Sequence, residues 1–254
     1  MISAVLITKN AGNVLEDCLK SVAFCDECVV VDCGSADNTV AIARAKGAVV
    51  YSHPFSDFAS QKNFAIQKAK FPWILSIDAD ERVSDLLREK IKAIVSNSSE
   101  AGARAFKVRR LNQLYGAWMR HGASADDFPI RLFRKEFAHF EGLVHEAVSV
   151  EGGEKFVGKL AQPLLHHSTA TAKEHMAKIN HYTSFEAKLF KEQGRTLSSW
   201  NMRGRPILKW LQNFFLKRGF QDKMPGFLFS TLSAYHEFIS WAKYWEIQEA
   251  TTQK

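Results

Sequence analysis

The chain has 254 residues, of which 46% are hydrophobic and 24% charged, so it can bury a sizeable core and its composition excludes a wholly disordered protein. Its formal net charge of +7 favours anionic partners such as nucleotide phosphates, membrane surfaces or nucleic acid. No apolar run approaches the roughly 18 residues that cross a bilayer, and residues 1–7 lack the basic start of a signal peptide. We therefore expect a cytoplasmic protein, either free in solution or lying peripherally on the inner face of the plasma membrane.

All four cysteines lie within the first 33 residues. Cys25 and Cys28 have the C-x-x-C spacing of metal and redox sites, yet neither a second such pair nor a zinc-type histidine pair follows. We interpret the four as buried thiols that pack as small hydrophobic side chains. Because we expect no disulfide framework, a reducing compartment is favoured.

Predicted strands and helices alternate through the first part of the chain. The strands cover residues 2–7, 28–32, 48–52 and 73–78. The helices cover residues 14–22, with Asn10 or Asn13 as cap, 37–45, capped by Asp37 and stopped by Gly47, 58–70, and a segment capped by Ser84. This alternation predicts an α/β fold with a parallel sheet covered on both faces.

The pattern changes after residue 100. Residues 105–109 and 130–134 are predicted strands, and the chain becomes mostly helical from about Thr171. We predict an α/β domain over residues 1–165, followed by a helical region over residues 166–254.

The aromatic side chains near the C-terminus admit two interpretations. As stripes on helices they would pack as core; these residues are Trp210, Phe214, Phe215 and the group 227–229. Together with nearby cations they would instead form a basic aromatic surface on anionic lipid. Those cations are Lys209, Lys217, Arg218 and Lys223. Nucleic-acid binding is disfavoured because no recognised module appears.

Asp78-Ala79-Asp80-Glu81 follows directly after a predicted buried strand. Ligands of parallel sheets bind outside the carboxyl ends of the strands, where this acidic group falls. In extended chain, Asp78 and Asp80 would point to the same side. Two neighbouring carboxylates repel unless a cation lies between them, which suits Mg²⁺ or Mn²⁺ bound also to a diphosphate. A solvated acidic loop is the alternative.

The segment 30–39, Val-Val-Asp-Cys-Gly-Ser-Ala-Asp-Asn-Thr, places an acid at a strand end before a glycine turn and a helix. Such a turn offers backbone donors and one fixed acceptor, Asp32. It suits a base or ribose better than a phosphate, since no Walker-type lysine follows. An ordinary connection between strand and helix would have the same sequence.

These segments, in this order and spacing, resemble family 2 glycosyltransferases. The quoted motifs are Ile7-Thr8-Lys9-Asn10, segment 30–39, Lys62-Asn63 and Asp78-Ala79-Asp80. The resemblance is closer to the branch that builds the lipopolysaccharide core. That branch has counterparts of Asp78–Arg82, Arg131–Arg134, Val144-His145-Glu146 and Lys217–Asp222. The resemblance covers most of the chain and implies that residues 1–165 form a GT-A, Rossmann-like domain that binds the nucleotide-sugar and carries out catalysis. The helical C-terminal region, residues 166–254, would contact the acceptor or a membrane.

The resemblance implies a role for each matching residue. The nucleotide-sugar would be held by Thr8, Asn10, Asp32, Asp37, Lys62, Asn63, Asp78 and Arg131. A divalent metal, Mn²⁺ or Mg²⁺, would be bound chiefly by Asp80, with help from Asp78 and His166. The sequence departs from the family's usual residues at Ala11, Cys33 and 221–223. The first two departures bear on nucleotide fit.

Inversion, implied by the family, requires a base for the acceptor hydroxyl. Asp127 is the first candidate, adjacent Asp126 is an alternative, and Glu146 is the second candidate; a solvated loop around Asp127 is the competing interpretation. Four histidines could add metal or phosphate ligands, although a lone histidine is more often structural. They are His139, His145, His166 and His167, of which His145 and His166 are favoured.

The predicted function is transfer of a hexose, glucose by resemblance, from a UDP-sugar to a saccharide or glycolipid acceptor of the lipopolysaccharide inner core. One alternative is a protein or peptide glycosyltransferase. Another is a nucleotidyltransferase, against which residues 8–13 count because they form no Gly-rich basic loop. A non-enzymatic membrane-binding module is the third; it predicts that Asp78 and Asp80 are both replaceable by Asn.

Overall fold

A computed structural model describes residues 1–97, 102–125, 127–142, 146–169 and 171–252. The chain forms two compact units. The first comprises Met1–Arg110 and Asp127–His166, and the second comprises Leu111–Asp126 and His167–Lys254. The functional division predicted at residue 165 stays a prediction.

The strands of the structure are β1 (Ile2–Thr8), β2 (Glu27–Asp32), β3 (Val49–Ser52), β4 (Trp73–Ser76), β5 (Glu81–Val83), β6 (Ala105–Leu114), β7 (Ala117–Trp118), β8 (Ile130–Arg134), β9 (Ala138–Glu141), β10 (Ala147–Val150) and β11 (Val157–Thr169). The main sheet has the order β3-β2-β1-β4-β8-β6-β11-β5, and β7 pairs with β6. Strands β1 to β4 are parallel to one another, whereas β8 runs antiparallel to β4. A separate hairpin joins β9 and β10.

The helices are α1 (Leu15–Ser21), α2 (Thr39–Ala45), α3 (Phe58–Lys68), α4 (Asp85–Ser96), α5 (Ala172–Glu192), α6 (Arg205–Leu211) and α7 (Lys223–Thr252). Short 3₁₀ turns cover Ala123–Ala125, Glu154–Phe156 and Gly219–Asp222, and π-helical turns flank α6 at Trp200–Gly204 and Gln212–Leu216. Strands and helices of the first unit thus follow the alternation that the sequence predicts.

Alternate side chains of the central strands enter two separate cores, as the pleat of a sheet covered on both faces requires. Ala4, Leu6 and Val30 belong to the core that also contains buried residues of α1 and α4. Val5 and Val31 belong to the core that contains buried residues of α3.

Helix capping agrees with the prediction at α4, where Ser84 accepts from Leu87 N at 3.3 Å. The predicted cap of α1 by Asn10 or Asn13 is wrong, because the N-cap residue is Val14 and no side chain caps this helix. Asn10 has a left-handed φ of 52° and its side-chain oxygen accepts from Ala36 N instead. At α2 the N-cap residue is Asn38, and Asp37 accepts from Thr39 N at 3.0 Å.

All four cysteines are free in the structure, and Cys18 is fully buried. Burial raises the pKa of each thiol, and that of Cys28 to about 12. These thiols are therefore poor nucleophiles near neutral pH.

The second unit has its core between α5 and α7. Ala187 and Phe190 of α5 pack with Trp241 and Tyr244 of α7. The largely buried carboxylate of Asp222 accepts from the backbone nitrogens of Arg120 and His121. Within the described ranges, no helix combines the length and the apolarity that crossing a membrane requires.

Candidate active site at the carboxyl edge of the sheet

Three neighbouring parallel strands end at one edge of the first unit. Thr8 ends β1 and pairs in register with Asp32, which ends β2. On the other side of β1 lies β4, and Ile77, just beyond its end, donates from N to Val5 O at 3.1 Å. Asp78 therefore follows at the edge where Thr8 and Asp32 lie.

The carboxylate of Asp32 organises the turn that follows β2. Its Oδ2 accepts from Gly34 N at 3.0 Å and Ser35 N at 2.9 Å. Its Oδ1 accepts from the hydroxyl groups of Ser35 and, at 3.3 Å, buried Thr8. Gly34 has a φ of 81°, which a glycine adopts without strain. The acceptor sites of Asp32 are thus used by its own turn and by Thr8 of β1, and a ligand would reach the carboxylate by replacing a hydroxyl.

The loop after β1 is hydrogen-bonded to the turn after β2 at this edge. Asn10 N donates to Ser35 Oγ at 2.8 Å, and Asp37 Oδ2 accepts from Gly12 N at 3.0 Å. A side chain at Gly12 would collide with Asn38 Oδ1. Asn10 and Asp37, both predicted to hold the donor, therefore shape the loops of the site through their hydrogen bonds.

A cavity of about 380 Å³ opens beside this edge. It is lined by Ile7, Thr8, Lys9, Cys33, Phe55 and Phe58. The rings of Phe55 and Phe58 lie edge to face with centroids 5.0 Å apart, and nearly half of each side chain is exposed. A larger cavity of about 420 Å³ includes Met1 and Trp73, at the amino ends of the strands, and its lining among the described residues contains no carboxylate. The smaller cavity is therefore the candidate for a nucleobase.

The acidic group after β4 is a turn rather than extended chain. Glu81 N donates to Asp78 O at 2.9 Å, and the Arg82 guanidinium donates to Ala79 O and, from its other nitrogen, to Val14 O. The expectation of extended chain from Asp78 to Asp80 is wrong, and within the turn the two carboxylates have different partners.

Asp78 lies between two cations. Its Oδ1 is 3.2 Å from Lys62 Nζ, and its Oδ2 is 2.5 Å from a guanidinium nitrogen of Arg131. Burial opposes ionisation, but these cations hold the pKa of Asp78 well below its usual range. Arg131 is itself buried, and its two carboxylate neighbours, Asp78 and Glu81, outweigh burial and raise its pKa. Asp78 is predicted to assist the metal, yet both of its oxygens already have cationic partners.

These contacts belong to a continuous row of alternating charges. Its members, in order, are Asp127, Arg110, Glu81, Arg131, Asp78, Lys62 and Glu146. At one end, Arg110 Nε is 2.7 Å from Asp127 Oδ2. At the other end, Lys62 Nζ is 3.1 Å from Glu146 Oε1. Asp127 and Glu146, the two base candidates, thus terminate the same row.

The strand pairing explains how distant residues meet in this row. Arg110 N donates to Asp127 O at 2.8 Å, so the pairing of β6 brings both residues together. Arg131 precedes Leu132, which pairs with Leu75 of β4. The fully buried carboxylate of Glu81 joins the two arginines, with its Oε1 2.7 Å from Arg131 and 3.3 Å from Arg110.

Asp80 faces His166. β5 pairs antiparallel with β11, with Glu81 opposite His166, and His166 Nε2 lies 3.4 Å from Asp80 Oδ2. Burial raises the pKa of Asp80, but the hydrogen bond and charge of His166 outweigh it, so the net shift is downward. About a third of the Asp80 side chain is exposed, so an oxygen of this carboxylate remains accessible to a ligand.

The other histidines lie elsewhere. His139 pairs with Glu141 at 2.8 Å on the surface, and His167 bonds Gln113 in the second unit. His145 and Asp126 lie outside the described residues. The Asn63 side chain pairs with the backbone N and O of Phe140, and its predicted role at the donor stays a prediction.

Sequence reasoning missed Glu81 and Arg110 as members of the site. Glu81 stood within the quoted acidic group, but nothing in one sequence distinguishes a buried carboxylate there from a solvated one. Arg110 lies one position beyond the predicted strand 105–109. Its alignment with Asp127 depends on antiparallel pairing over 17 residues, which the local pattern does not specify.

The family described as Glycosyl transferase family 2 matches residues 3–138, more than half of the chain. The chain belongs to glycosyltransferase family 2. It is therefore a glycosyltransferase, as the resemblance of its motifs indicates. The alternative of a nucleotidyltransferase and that of a non-enzymatic module are not supported.

Curated relatives extend the likeness beyond the matched residues. An uncharacterized glycosyltransferase of Rickettsia typhi is 32% identical over 97% of this chain and 87% of its own length. The lipopolysaccharide core biosynthesis glycosyltransferase LpsC of Rhizobium meliloti is 28% identical over 96% of this chain and 92% of its own. The helical C-terminal region is thus included in both alignments.

Solved structures confirm the α/β GT-A fold. Glucosyl-3-phosphoglycerate synthase of Mycobacterium tuberculosis, in complex with Mn²⁺, UDP and glucosyl-3-phosphoglycerate, superposes with a TM-score of 0.52 at 16% identity. The alignment covers 78% of this chain and 81% of that one. Mannosyl-3-phosphoglycerate synthase of Rubrobacter xylanophilus gives a TM-score of 0.50 at 16% identity, over 78% and 76% of the chains.

Proposed function

We propose that this chain is an inverting, metal-dependent hexosyltransferase that moves glucose from UDP-glucose to a saccharide of the lipopolysaccharide inner core. The pairing of Asp80 with His166 at the sheet edge that holds Thr8 and Asp32 carries the proposal. The UDP in the Mycobacterium tuberculosis structure supports the donor, and the name of the Rhizobium meliloti relative supports the acceptor. A glycolipid acceptor would place the enzyme at the inner face of the plasma membrane.

The donor's base would enter the cavity lined by Phe55 and Phe58, where an apolar wall suits a planar ring. Thr8 and Asp32 lie next to this wall and offer hydroxyl and carboxylate groups to the base or ribose. Lys62 is buried between the carboxylates of Asp78 and Glu146, and its positive charge would lie where the diphosphate of the donor binds. Asn10 and Asp37 hold the loops that frame the entrance.

Asp80 and His166 fit a divalent metal. A carboxylate oxygen and an imidazole nitrogen 3.4 Å apart are ligands that Mn²⁺ accepts. No group of three His, Cys, Asp or Glu ligands lies together among the described residues, so donor phosphate oxygens and water would complete the coordination. A bound metal would stabilise the negative charge that develops on the leaving diphosphate.

The reaction is a single displacement with inversion. The acceptor oxygen forms a bond to the anomeric carbon while that carbon's bond to the diphosphate oxygen breaks, and UDP leaves with the electron pair. The acceptor's hydroxyl proton passes to a carboxylate, for which Asp127 is the first candidate and Glu146 the second. Arg110 and Lys62 orient these two carboxylates at 2.7 and 3.1 Å.

The test is calorimetric binding of UDP with Mn²⁺, with and without chelator, to wild type and to Asp80→Asn. We expect metal-dependent binding that the substitution abolishes. Asp85→Asn, which alters a largely exposed aspartate on α4, is the matched control and should bind as wild type does. Absence of UDP binding in wild type would overturn the donor assignment.

Release of UDP from a panel of UDP-hexoses, with lipopolysaccharide core saccharide or peptide as acceptor, then identifies both substrates. We expect turnover with UDP-glucose and the core saccharide, and a product of inverted anomeric configuration by NMR. Turnover with a peptide alone would replace the acceptor while leaving the enzyme class intact.

A further inference from the structure

The second unit exposes apolar side chains over a short stretch of chain. Among the most exposed are Ile207, Leu211, Phe215, Leu216, Phe220 and Met224, with exposed fractions from 41% to 76%. Single exposed apolar residues are ordinary on protein surfaces, whereas a contiguous group marks an interaction site.

Ring contacts show that the aromatic members form one group. Trp210 stacks on Phe214 with ring centroids 4.9 Å apart, and Phe215 lies 5.7 Å from Trp210. Phe220 and Phe227 lie 6.3 and 5.9 Å from Phe214. Phe214 and Trp210 are half-buried, so they anchor the group while Phe215, Phe220 and Phe227 remain exposed.

The charge of this stretch has one sign. Residues 193–221 contain six Lys and Arg residues and neither Asp nor Glu. The one acid of the adjoining turn, Asp222, has a side chain only 8% exposed and binds the backbone of Arg120 and His121. Within the part of the chain that the structure describes, Lys209, Lys217 and Lys223 form no salt bridge. These three lysines are therefore uncompensated, whereas Arg205 pairs with Glu237 at 2.9 Å.

We infer that this surface, named here the basic aromatic surface (Lys209, Phe215, Leu216, Lys217, Phe220 and Lys223), docks on an anionic lipid membrane. Phe and Leu side chains enter the boundary between headgroups and acyl chains, while neighbouring Lys and Arg side chains stay at the anionic headgroups. A second copy of the chain would bring the same positive charge to the contact, which disfavours self-association through this surface.

The aromatic residues thus serve both interpretations drawn from the sequence. Trp210 and Phe214 pack between helices, and the exposed members face outward. The docking inference deepens the proposed glycolipid acceptor, but it depends on lipid contact alone and not on the donor site.

The test is co-sedimentation of the full chain, without nucleotide, with vesicles of phosphatidylcholine alone or mixed equally with phosphatidylglycerol. We expect binding to the anionic vesicles that weakens as the salt rises from about 0.1 M to about 0.5 M. Leu216→Asp with Phe220→Ser should lower the partition coefficient at least about tenfold, and Lys209→Gln and Lys217→Gln about fivefold each.

Leu86→Asp is the matched control, because Leu86 is 70% exposed against 76% for Leu216 but lies on α4 of the first unit. It should bind vesicles as wild type does. Near-UV circular dichroism checks that each variant folds. Wild type that fails to bind anionic vesicles overturns the inference. The inference is also overturned if the wild type is a dimer that binds no vesicles and Leu216→Asp converts it to a monomer. The surface would then join two copies of the chain. UDP binding, measured separately, distinguishes either result from failure of the donor site.

Discussion

Arg131 NH2 lies 2.7 Å from Oε1 of Glu81, and both side chains are almost completely removed from solvent. Replacing Glu81 by Gln keeps the shape and leaves the buried guanidinium with Asp78 as its one remaining carboxylate. Loss of one partner of a buried ion pair should lower the free energy of unfolding by about 3 kcal/mol.

Urea denaturation measures this loss. Glu89→Gln, which removes an exposed carboxylate paired with Lys92, is the control and should leave the unfolding midpoint unchanged. Equal midpoints for Glu81→Gln and wild type would show that the row of charges contributes nothing to stability.

Asp127→Asn and Glu146→Gln separate the two base candidates. The true base should lose turnover by about 10²- to 10⁴-fold with little change in donor affinity. The other residue only balances its cation, Arg110 or Lys62, and its amide variant should retain most of the activity. Steady-state kinetics with calorimetric UDP binding provides both numbers. If both variants keep full turnover, neither residue is the base.

Gly12→Ala should weaken UDP binding more than it lowers stability. The added methyl group forces the end of the Asn38 side chain to turn away and crowds Asp37 Oδ2, which accepts the hydrogen bond from Gly12 N, so the contact between the two loops is weakened. Asn38→Ala in the same chain removes the colliding oxygen and should restore much of the affinity. A double variant no better than Gly12→Ala would show that the close approach of these two residues does not govern the loop.

Lys223→Gly should stabilise the protein by about 1 kcal/mol, since Lys223 has φ 54° and ψ −133°, a conformation that a side chain disfavours. Lys217, at φ −87°, provides the control: Lys217→Gly should be neutral or destabilising, because glycine there only increases the freedom of the unfolded chain. Thermal unfolding of the two variants distinguishes these outcomes by the sign of the shift in Tm.

From the environment of His175 we predict that the folded protein loses stability on acidification. Burial, with the nearby charges of Lys178 and His236, lowers the pKa of His175 below its ordinary value of 6.5. The unfolded chain then binds more protons than the folded chain between the two pKa values, so stability is complete above pH 6.5 and falls as the pH drops toward the folded pKa. His175→Gln should reduce the change in Tm between neutral and mildly acidic pH; an unchanged slope would contradict the assignment.

The order of strands and helices in the first unit could be predicted because hydrophobic periodicity and caps such as Ser84 are local properties. The turn at Asp78 could not, since it depends on Arg82 reaching Val14 O across 68 residues. The row of charges also depends on antiparallel partners. Glu81 lies opposite His166 because β5 pairs with β11, a strand far away in the sequence. Hydrophobic periodicity is local and does not indicate such a pairing.

The seven side chains that run from Asp127 to Glu146 contain four carboxylates and three cations, which leaves one negative charge in excess. Asp80 adds a second, which the Arg82 guanidinium, bonded to Ala79 O and Glu81 O in the same turn, offsets. A divalent cation beside Asp80 would turn the remaining negative excess into a positive one before any diphosphate arrives. The order of association follows from that balance: metal and nucleotide should enter together or metal first, because a bare diphosphate would meet repulsion from like charge.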